Sequence, residues 1–416
     1  MTEALAPQPW MTAASTRRVL AALEAAGGAD CARFVGGCVR NAIIGRPVDD
    51  IDIATTLEPK AVMEALRAAS LNGHPTGIEH GTITAVAQGK PFEITTLRRD
   101  VETDGRRAVV AFTTDWSEDA ARRDFRLNAL YAGADGRLYD PTGGGLEDAR
   151  AGRIVFVGEP QMRIREDALR ILRFFRFLAW YGRGDPDPAG LAACAALRDL
   201  TLSLSAERVS AELLKLLGAE DPRPAVRLME EADVLALILP EAADLARFLR
   251  IVDAEAAALL APDALLRLAA FLPDDPEVGE AVAQRLRLSN AQRDRLAEAL
   301  KPEPRLVSGI SPKETRALVY RMGLRAFKDR VVLTWAAHEH QAAAVQWLAL
   351  LALADNWERP QFPLSGTDVV AAGVPKGPLV GKVLRDVETW WIDSDFPDDK
   401  LALVERLKAA VQGLAS

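Results

Sequence analysis

Apolar and polar positions change rhythm along the chain. From Ala32 to about Ile154, short runs (ARFV, IDIAT, TITAVA, PFEITTL, RLNALYAG, RLYD) alternate with turn clusters, a pattern of strands with a few helices between them. One such helix is predicted where Pro59 precedes the amphipathic stretch AVMEALRAAS, because proline suits a first helical turn. Beyond Gln161 the strand signal fades. Apolar residues then recur at three and four, as at Leu169, Leu172, Phe175 and Phe177, or Leu213, Leu214 and Leu217, which predicts helix after helix. Helix-stopping clusters at 182–190, 272–276, 301–304 and 359–363 punctuate this part, and no solenoid-type repeat is visible. The expected fold class is α+β: a head over residues 1–152 with a small mixed β-sheet, then an all-α neck (153–220), body (221–358) and tail (359–416).

Composition narrows the function. The 416 residues carry 51 Lys+Arg against 59 Asp+Glu, a net charge of −8. Non-specific nucleic-acid binding draws on a broad basic field, so any such contact must come from local clusters. One is IREDALRILRFFRF, where Arg163, Arg165, Arg170, Arg173 and Arg176 face only Glu166 and Asp167 in number. Cys31, Cys38 and Cys194 show no CxxC spacing, too little sulfur for a disulfide framework or a cysteine zinc site. A reducing, cytoplasmic location is expected. The first thirty residues contain Glu3, Glu24 and Asp30 and no continuous apolar core, unlike a signal peptide. The apolar run Ala342 to Ala354 is interrupted by Gln346 and falls short of the roughly 18–20 residues of a membrane helix.

The richest segment is FVGGCVRNAIIGRPVDDIDIATT, residues 34–56. A strand ending at Val35 runs into Gly36 and Gly37 and then a helical pattern. Such a turn either brings bare backbone N–H groups toward an anion or merely joins two elements. Arg40 follows within the first turn. Asp50 and Asp52 are one residue apart on an expected strand, whose two-residue period puts both carboxylates on one face while Ile51 and Ile53 point inward. Paired hard oxygen ligands suit Mg²⁺, which can activate an attacking hydroxyl and steady a departing pyrophosphate. Alone, two such acids are equally a solvated strand face.

The combination GG-x-VR, GRP and DxD resembles the active-site signature of the DNA polymerase β-like nucleotidyltransferases, and among them the class II tRNA nucleotidyltransferase and bacterial poly(A) polymerase family. The remaining motifs follow in order. Glu93, in PFEITTLRRD, sits where the family has a third acid near the metals. ARRDFRLNALYAG matches RRDF-x-x-NA, which implies nucleotide contacts for Arg123, Asp124 and Asn128, with Arg123 near the phosphates and Asp124 on the ribose. An aspartate can accept from a 2′-OH. LRRDVETDGRRAVVAF (97–112) resembles the flexible loop of full CCA-adding enzymes, and the triple glycine Gly143 to Gly145 suits a hinge or a plain turn. IREDALRILRFFRF resembles the EDxxRxxR helix. Asp167 and Arg170, three apart, are expected on one helical face, where an acceptor beside a donor complements the shared edge of cytosine and adenine and refuses uracil and guanine. SAERVSAELLKLL resembles the last shared motif of this part, with Arg208 and Glu212 expected as a structural ion pair. Residues 362–391 resemble the family's tail segment, a helix hairpin that either touches an RNA phosphate or only packs on the body.

The resemblance covers roughly residues 30–220 strongly and 360–390 moderately. One departure is visible: the family commonly reads VRD after GG, and this chain has Asn41. His338 and His340, two apart on an expected helix, diverge too far for a metal pair, and His80 lies in a family-like HGTIT strand. The resemblance implies a CCA-adding tRNA nucleotidyltransferase that takes CTP, ATP and tRNA and uses Mg²⁺. A poly(A) polymerase or A-adding enzyme is the alternative within the family, but no long basic C-terminal extension supports it. A non-catalytic RNA-binding or nucleotide-sensing protein is the alternative from another class. Retention of the acids and of the base-reading pair weighs against it, and no clustered His-Asp motif suggests a phosphohydrolase.

Overall fold

In the computed structural model, residues 3–103, 108–338 and 343–413 are described; residues 104–107 of the expected loop, and His340, lie outside them. The chain forms two compact units, Met1–Pro240 and Glu241–Ser416.

The first unit is built on a seven-stranded sheet in the order β3-β4-β5-β2-β1-β8-β9. The strands are β1 (Ala32–Val35), β2 (Asp52–Thr55), β3 (Asn72–Gly77), β4 (Thr82–Ala87), β5 (Lys90–Thr96), β8 (Tyr131–Ala132) and β9 (Leu138–Tyr139); β6 (Arg98–Thr103) and β7 (Ala108–Phe112) pair separately. β2 and β5 are parallel and the other paired strands antiparallel, so the sheet is mixed, as expected. Phe34, Ile53, Ile83, Phe92 and Ile94 are completely buried, which is what fixes the register: a slip of one residue would expose every one of them.

Three segments depart from the sequence reading. β3, NGHPTG, has no apolar alternation and was not expected as a strand. It is an edge strand containing Pro75, a place where a missing N–H costs no ladder bond. RLNALYAG is a 3-10 turn over Arg126–Asn128 followed by the two-residue β8. The segment read as a loop over 97–112 contains the antiparallel pair β6–β7, with a register shift between Asp100 and Glu102.

The glycines after β9 form a turn. Gly143 and Gly144 have φ of 66° and 102°, and a Cβ on Gly145 would lie 2.5 Å from the Arg126 carbonyl oxygen, so only glycine lets these backbones approach so closely. Arg126 also reaches Asp148 of the next helix at 3.0 Å.

The single helix expected over 164–177 is two, Pro160–Glu166 and Leu169–Tyr181. Asp167 between them is extended (φ −152°, ψ 106°), and its carboxylate accepts from the Leu169 N–H at 3.1 Å. A short acid that bonds the backbone ahead of it starts a helix more readily than it continues one. The second helix buries Ile171, Leu172, Phe174, Phe175 and Phe177. Phe174 stacks on Phe156 at 5.6 Å and Phe177 meets Phe125 at 5.0 Å, joining the helix to the segment after β7.

The second unit is helical, and its helices stop at the expected clusters: Ala264–Ala269 gives way to Pro276–Arg285, Asn290–Ala299 to Pro312–Met322, and Ala344–Asn356 to Gly366–Ala371. In the tail, Gly366–Ala371 and Pro378–Asp393 form a hairpin whose turn holds Gly373 and Gly377 at positive φ. Among the described residues no helix is long and apolar enough to cross a membrane.

Arg267 and Glu255 are buried together in this unit, 1% and 2% exposed, with Nε donating to Oε2 at 2.7 Å. Breaking such a pair leaves a buried charge. Arg267→Leu is expected to lower stability by about 3–5 kcal/mol in chemical denaturation, and Arg267→Leu with Glu255→Leu to recover most of the loss.

Candidate active site

The expected acids gather at the head of two neighbouring strands. Asp52 begins β2 and lies opposite Glu93 of β5 in parallel register. Asp50 precedes the strand rather than lying in it, but the Glu93 N–H donates to the Ile51 carbonyl at 3.3 Å, so the ladder extends one residue back. Ile51 and Ile53 are 2% and 0% exposed, and this alternation leaves Asp50 and Asp52 on the opposite face. The Asp52 carboxyl is pushed up to about 6 by burial and then by Glu93; Asp50 adds to the rise, while Arg123 and Arg40 oppose it. The negative charge that Glu93 and Asp50 bring to Asp52 is a field that a divalent cation would relieve. Among the described residues no three His, Cys, Asp or Glu side chains converge as a closed metal cage.

Beside these acids is the glycine turn. Gly36 has φ 69° and its N–H donates to the Leu130 carbonyl at 3.2 Å. A Cβ there would meet only Arg123 Nη1 and Asn128 O, both at 3.8 Å, so the backbone angle, not space, calls for glycine. Gly37 opens the following helix, Gly37–Ile43. Arg123 is clamped: Nε and Nη2 donate to Asp119 at 3.2 and 2.9 Å, and Nε approaches the Tyr131 hydroxyl at 3.3 Å. Its Nη1 makes no hydrogen bond among the described residues, which leaves one donor edge beside the turn. Asp119, 1% exposed, was missed, although its spacing of three and four from Arg122 and Arg123 was a visible signal. Burial alone would raise its carboxyl, but Arg123, Arg122 and the Tyr131 hydroxyl hold it down at about 2.

Arg40, expected at the nucleotide, is 7% exposed, and its side-chain donors are bonded within the protein. Nη1 bonds Asn128 Oδ1, Nη2 bonds the Tyr181 hydroxyl at 2.7 Å, and Nη2 and Nε bond Asn41 Oδ1 at 2.9 and 3.2 Å. The guanidinium lies 3.9 Å from the Tyr181 ring centroid. Asn128 in turn donates to Asp124 at 3.1 Å. Asp124 also accepts from the Phe125 N–H at 2.8 Å and from Arg173 Nε at 2.8 Å, with Arg173 Nη2 as a fourth donor. Burial would raise this carboxyl, and Arg173, Asn128 and the Phe125 N–H hold it at about 2.

Asp167 and Arg170 also differ from the expected face-to-face pair. The helix break turns Asp167 toward Arg208, whose Nη2 donates to both carboxylate oxygens at 2.9 and 2.7 Å. Arg170 donates to Glu166 at 2.7 Å, to the Arg163 carbonyl at 2.8 Å and to the Arg122 carbonyl at 3.3 Å. The pair expected between Arg208 and Glu212 is replaced as well: Glu212 lies 2.6 Å from Arg176 and 3.9 Å from Arg173. Glu166 and Arg208 therefore belong to this part of the site, each holding one member of the candidate base-reading pair.

Residues 32–155 match the model of the Poly A polymerase head domain, and residues 185–245 match that of a probable RNA and SrmB-binding site of polymerase A. The chain is 33% identical over 391 residues to the Homo sapiens protein CCA tRNA nucleotidyltransferase 1, mitochondrial, covering 90% of this chain and 86% of that one. The chain belongs to the CCA tRNA nucleotidyltransferase family. A CCA-adding enzyme of Lacticaseibacillus paracasei is 32% identical over 92% of both chains. The crystal structure of the Bacillus stearothermophilus CCA-adding enzyme in complex with CTP superposes with a TM-score of 0.75 at 26% identity, covering 97% of this chain and 100% of that one. The family's mixed sheet with helical remainder is thus the fold found here.

In this family member, the buried Asp119 and the partly buried Asp124 have carboxyls held below their unfolded values. A depressed carboxyl contributes stability that is present above the unfolded pKa of about 3.9 and lost as pH falls through the folded value of about 2 for Asp119 and Asp124. Each contributes on the order of 2 kcal/mol by linkage. Denaturation at pH 7, 4 and 2.5 is expected to show a steep acid loss in the wild type and a shallower one in Asp119→Asn, which starts from a lower stability at pH 7.

Proposed function

We propose that this nucleotidyltransferase builds the 3′ CCA end of tRNA, adding CMP and AMP from CTP and ATP without a nucleic-acid template and releasing pyrophosphate. The observation that carries this reading is the acid cluster Asp50, Asp52 and Glu93 set beside the Gly36–Gly37 turn and the open edge of Arg123. The tRNA 3′-hydroxyl attacks the α-phosphate, and the α–β phosphoanhydride bond breaks. Mg²⁺ held by Asp50 and Asp52, with Glu93 beside them, would supply charge neutralisation there and favour the ionised hydroxyl. Arg123 Nη1 takes a phosphate oxygen, and its Asp119 clamp keeps the guanidinium oriented before substrate arrives.

Asp124 is the candidate for the ribose 2′-OH, but a hydroxyl donating to it must displace one of four donors. Ribose recognition is then coupled to the Arg173 tie. Asp167 and Arg170 read the base. Cytosine and adenine each offer an amine and a bare ring nitrogen to an acceptor and a donor, whereas uracil and guanine set a carbonyl and a ring N–H against them. Both residues must first leave Arg208 and Glu166, so a base that cannot replace both partners is refused. The tail hairpin is the proposed tRNA contact. Free, buried Cys31, Cys38 and Cys194 suit a reducing cytoplasm.

The test is incubation with tRNA lacking its 3′ end, each nucleoside triphosphate singly, and Mg²⁺. CTP and then ATP should extend the tRNA, chelation with EDTA should stop the reaction, and extension by UTP or GTP alone at the rate of CTP would refute the reading. Asp52→Asn is expected to lower CMP addition by at least about a hundredfold, the scale for losing one element of charge stabilisation, with circular dichroism unchanged. Asp167→Asn with Arg170→Gln should raise UTP misincorporation relative to CTP by about 1–3 kcal/mol of discrimination. Unchanged selectivity in an active double variant would place base reading elsewhere.

A further inference from the structure

The helical unit contains a second arginine-rich site that the chemistry of the head does not use. A cleft of about 190 Å³ is lined by Arg247, Lys301, Arg305, Arg330 and His338, with Asp274 as the one acidic lining residue. Arg247 decides its character. It is 5% exposed, its Nη1 donates to the Leu272 carbonyl at 3.3 Å and to Asp274 at 2.8 Å, and its buried Nε has no hydrogen-bond partner. No bond is made by Nη2 among the described residues either. The idle Nε is sealed from solvent, so Nη2 is the donor left for an acceptor in the cleft, and a buried donor without one is costly.

Among the described residues, the surroundings hold these cations in place and leave Arg305 unpaired at the mouth. Arg330 donates to the three successive carbonyls of Pro302, Glu303 and Pro304, the first at 3.3 Å and the others at 2.8 and 2.6 Å. This holds the segment that carries Lys301 and Arg305. Arg305 has no side-chain partner among the described residues, while Lys301 meets only the exposed Glu298. Arg250 donates to the Ala336 carbonyl at 2.6 Å and fixes the end of the Leu324–Ala337 helix, which carries the lining residues Thr334 and Ala337. His338 Nδ1 lies 2.7 Å from the Thr334 carbonyl; a carbonyl only accepts, so Nδ1 carries the proton and Nε2 is left at the rim. Glu303 is the other carboxylate close by, and it is turned to the Arg305 N–H at 3.1 Å.

We propose that this cleft is an oxyanion site that takes a phosphate group, with Arg247 at its floor and Arg305 and Lys301 at its mouth. The volume admits phosphate or pyrophosphate. A fork of guanidinium donors with an ammonium beside it is the donor set that phosphate oxygens match. The phosphate group can come from a free anion, such as the pyrophosphate the proposed reaction releases, or from an RNA phosphodiester.

Two measurements decide it. Crystals soaked in sodium tungstate, a tetrahedral oxyanion with a strong anomalous signal, should show a peak within hydrogen-bond distance of Arg247. In solution, pyrophosphate followed by ³¹P NMR, with excess CTP filling the head, should bind at least tenfold more weakly to the exposed double variant Lys301→Ala/Arg305→Ala than to the wild type, while CMP addition at saturating substrates is kept. If instead tRNA affinity and its salt dependence fall in the double variant while pyrophosphate binding is equal, the phosphate is the RNA's and the site still stands. Arg247→Met, if it folds, should lose the same binding. No tungstate peak, or a peak without any difference between wild type and variant in either titration, an ion held at crystal concentration only, overturns the site.

Discussion

The Asp124 carboxylate is the constraint on which the catalytic unit depends. An anion largely removed from water is tolerated only when neutralised and well bonded, and this partly buried one draws donors from its own turn, from Asn128 and from Arg173. Satisfying it fixes Asn128, whose oxygen then fixes Arg40. Arg40 orders Asn41, and Asn41 donates to the Pro47 carbonyl at 2.9 Å. That bond lies three residues before Asp50. The position of the acid cluster is therefore linked, bond by bond, to a helix that starts at Leu169, and distortion at either end passes through paired groups with few alternative partners.

A chain with net charge −8 must nonetheless handle nucleoside triphosphates and RNA. In the proposed reaction this falls to arginines that are already partnered: Arg123 by Asp119, Arg170 by Glu166, Arg208 by Asp167. Partnering holds each guanidinium in one geometry, so little reorganisation remains when substrate arrives. In the proposed base reading the same pairing would sharpen selection. An incoming base would have to replace bonds that already exist, and a base with the wrong edge would strand both an acid and a guanidinium in a partly buried place. Unpaired surface arginines would bind anions as readily and discriminate less.

Much of this was legible in the sequence, for identifiable reasons. Ile51 and Ile53 alternate with Asp50 and Asp52, so the strand face of the acids could be read from local period alone. Prolines mark the helix stops because their effect is also local. What escaped was partner choice across distance. Asp167 and Arg170 are three apart, and helical spacing pairs them; the partner that Asp167 takes is Arg208, 41 residues on. The break at Asp167 was hidden too, since its cause is a side-chain bond to the Leu169 N–H that competes with a strong apolar period. Arg40 looked open beside two glycines, and only Tyr181, 141 residues away, shows that it is enclosed. β3 carries no apolar signal because an edge strand need not bury a face.

The departure at Asn41 shows how such a network absorbs a change. An aspartate there could neutralise Arg40 but could only accept hydrogen bonds. The asparagine of this chain accepts from Arg40 and donates to Pro47 at once, so it trades an ion pair for a direct tie to the segment that leads into the acids. Burial disfavours the Arg40 cation, and Tyr181 and Asp124 support it. Arg40 also rests on the faces of Tyr181 and Phe177, at 3.9 and 5.4 Å, which favours a desolvated guanidinium. Two aromatic faces and a carboxylate one residue removed through Asn128 thus do the work that an aspartate at position 41 would do by direct contact, and the acid cluster keeps its place.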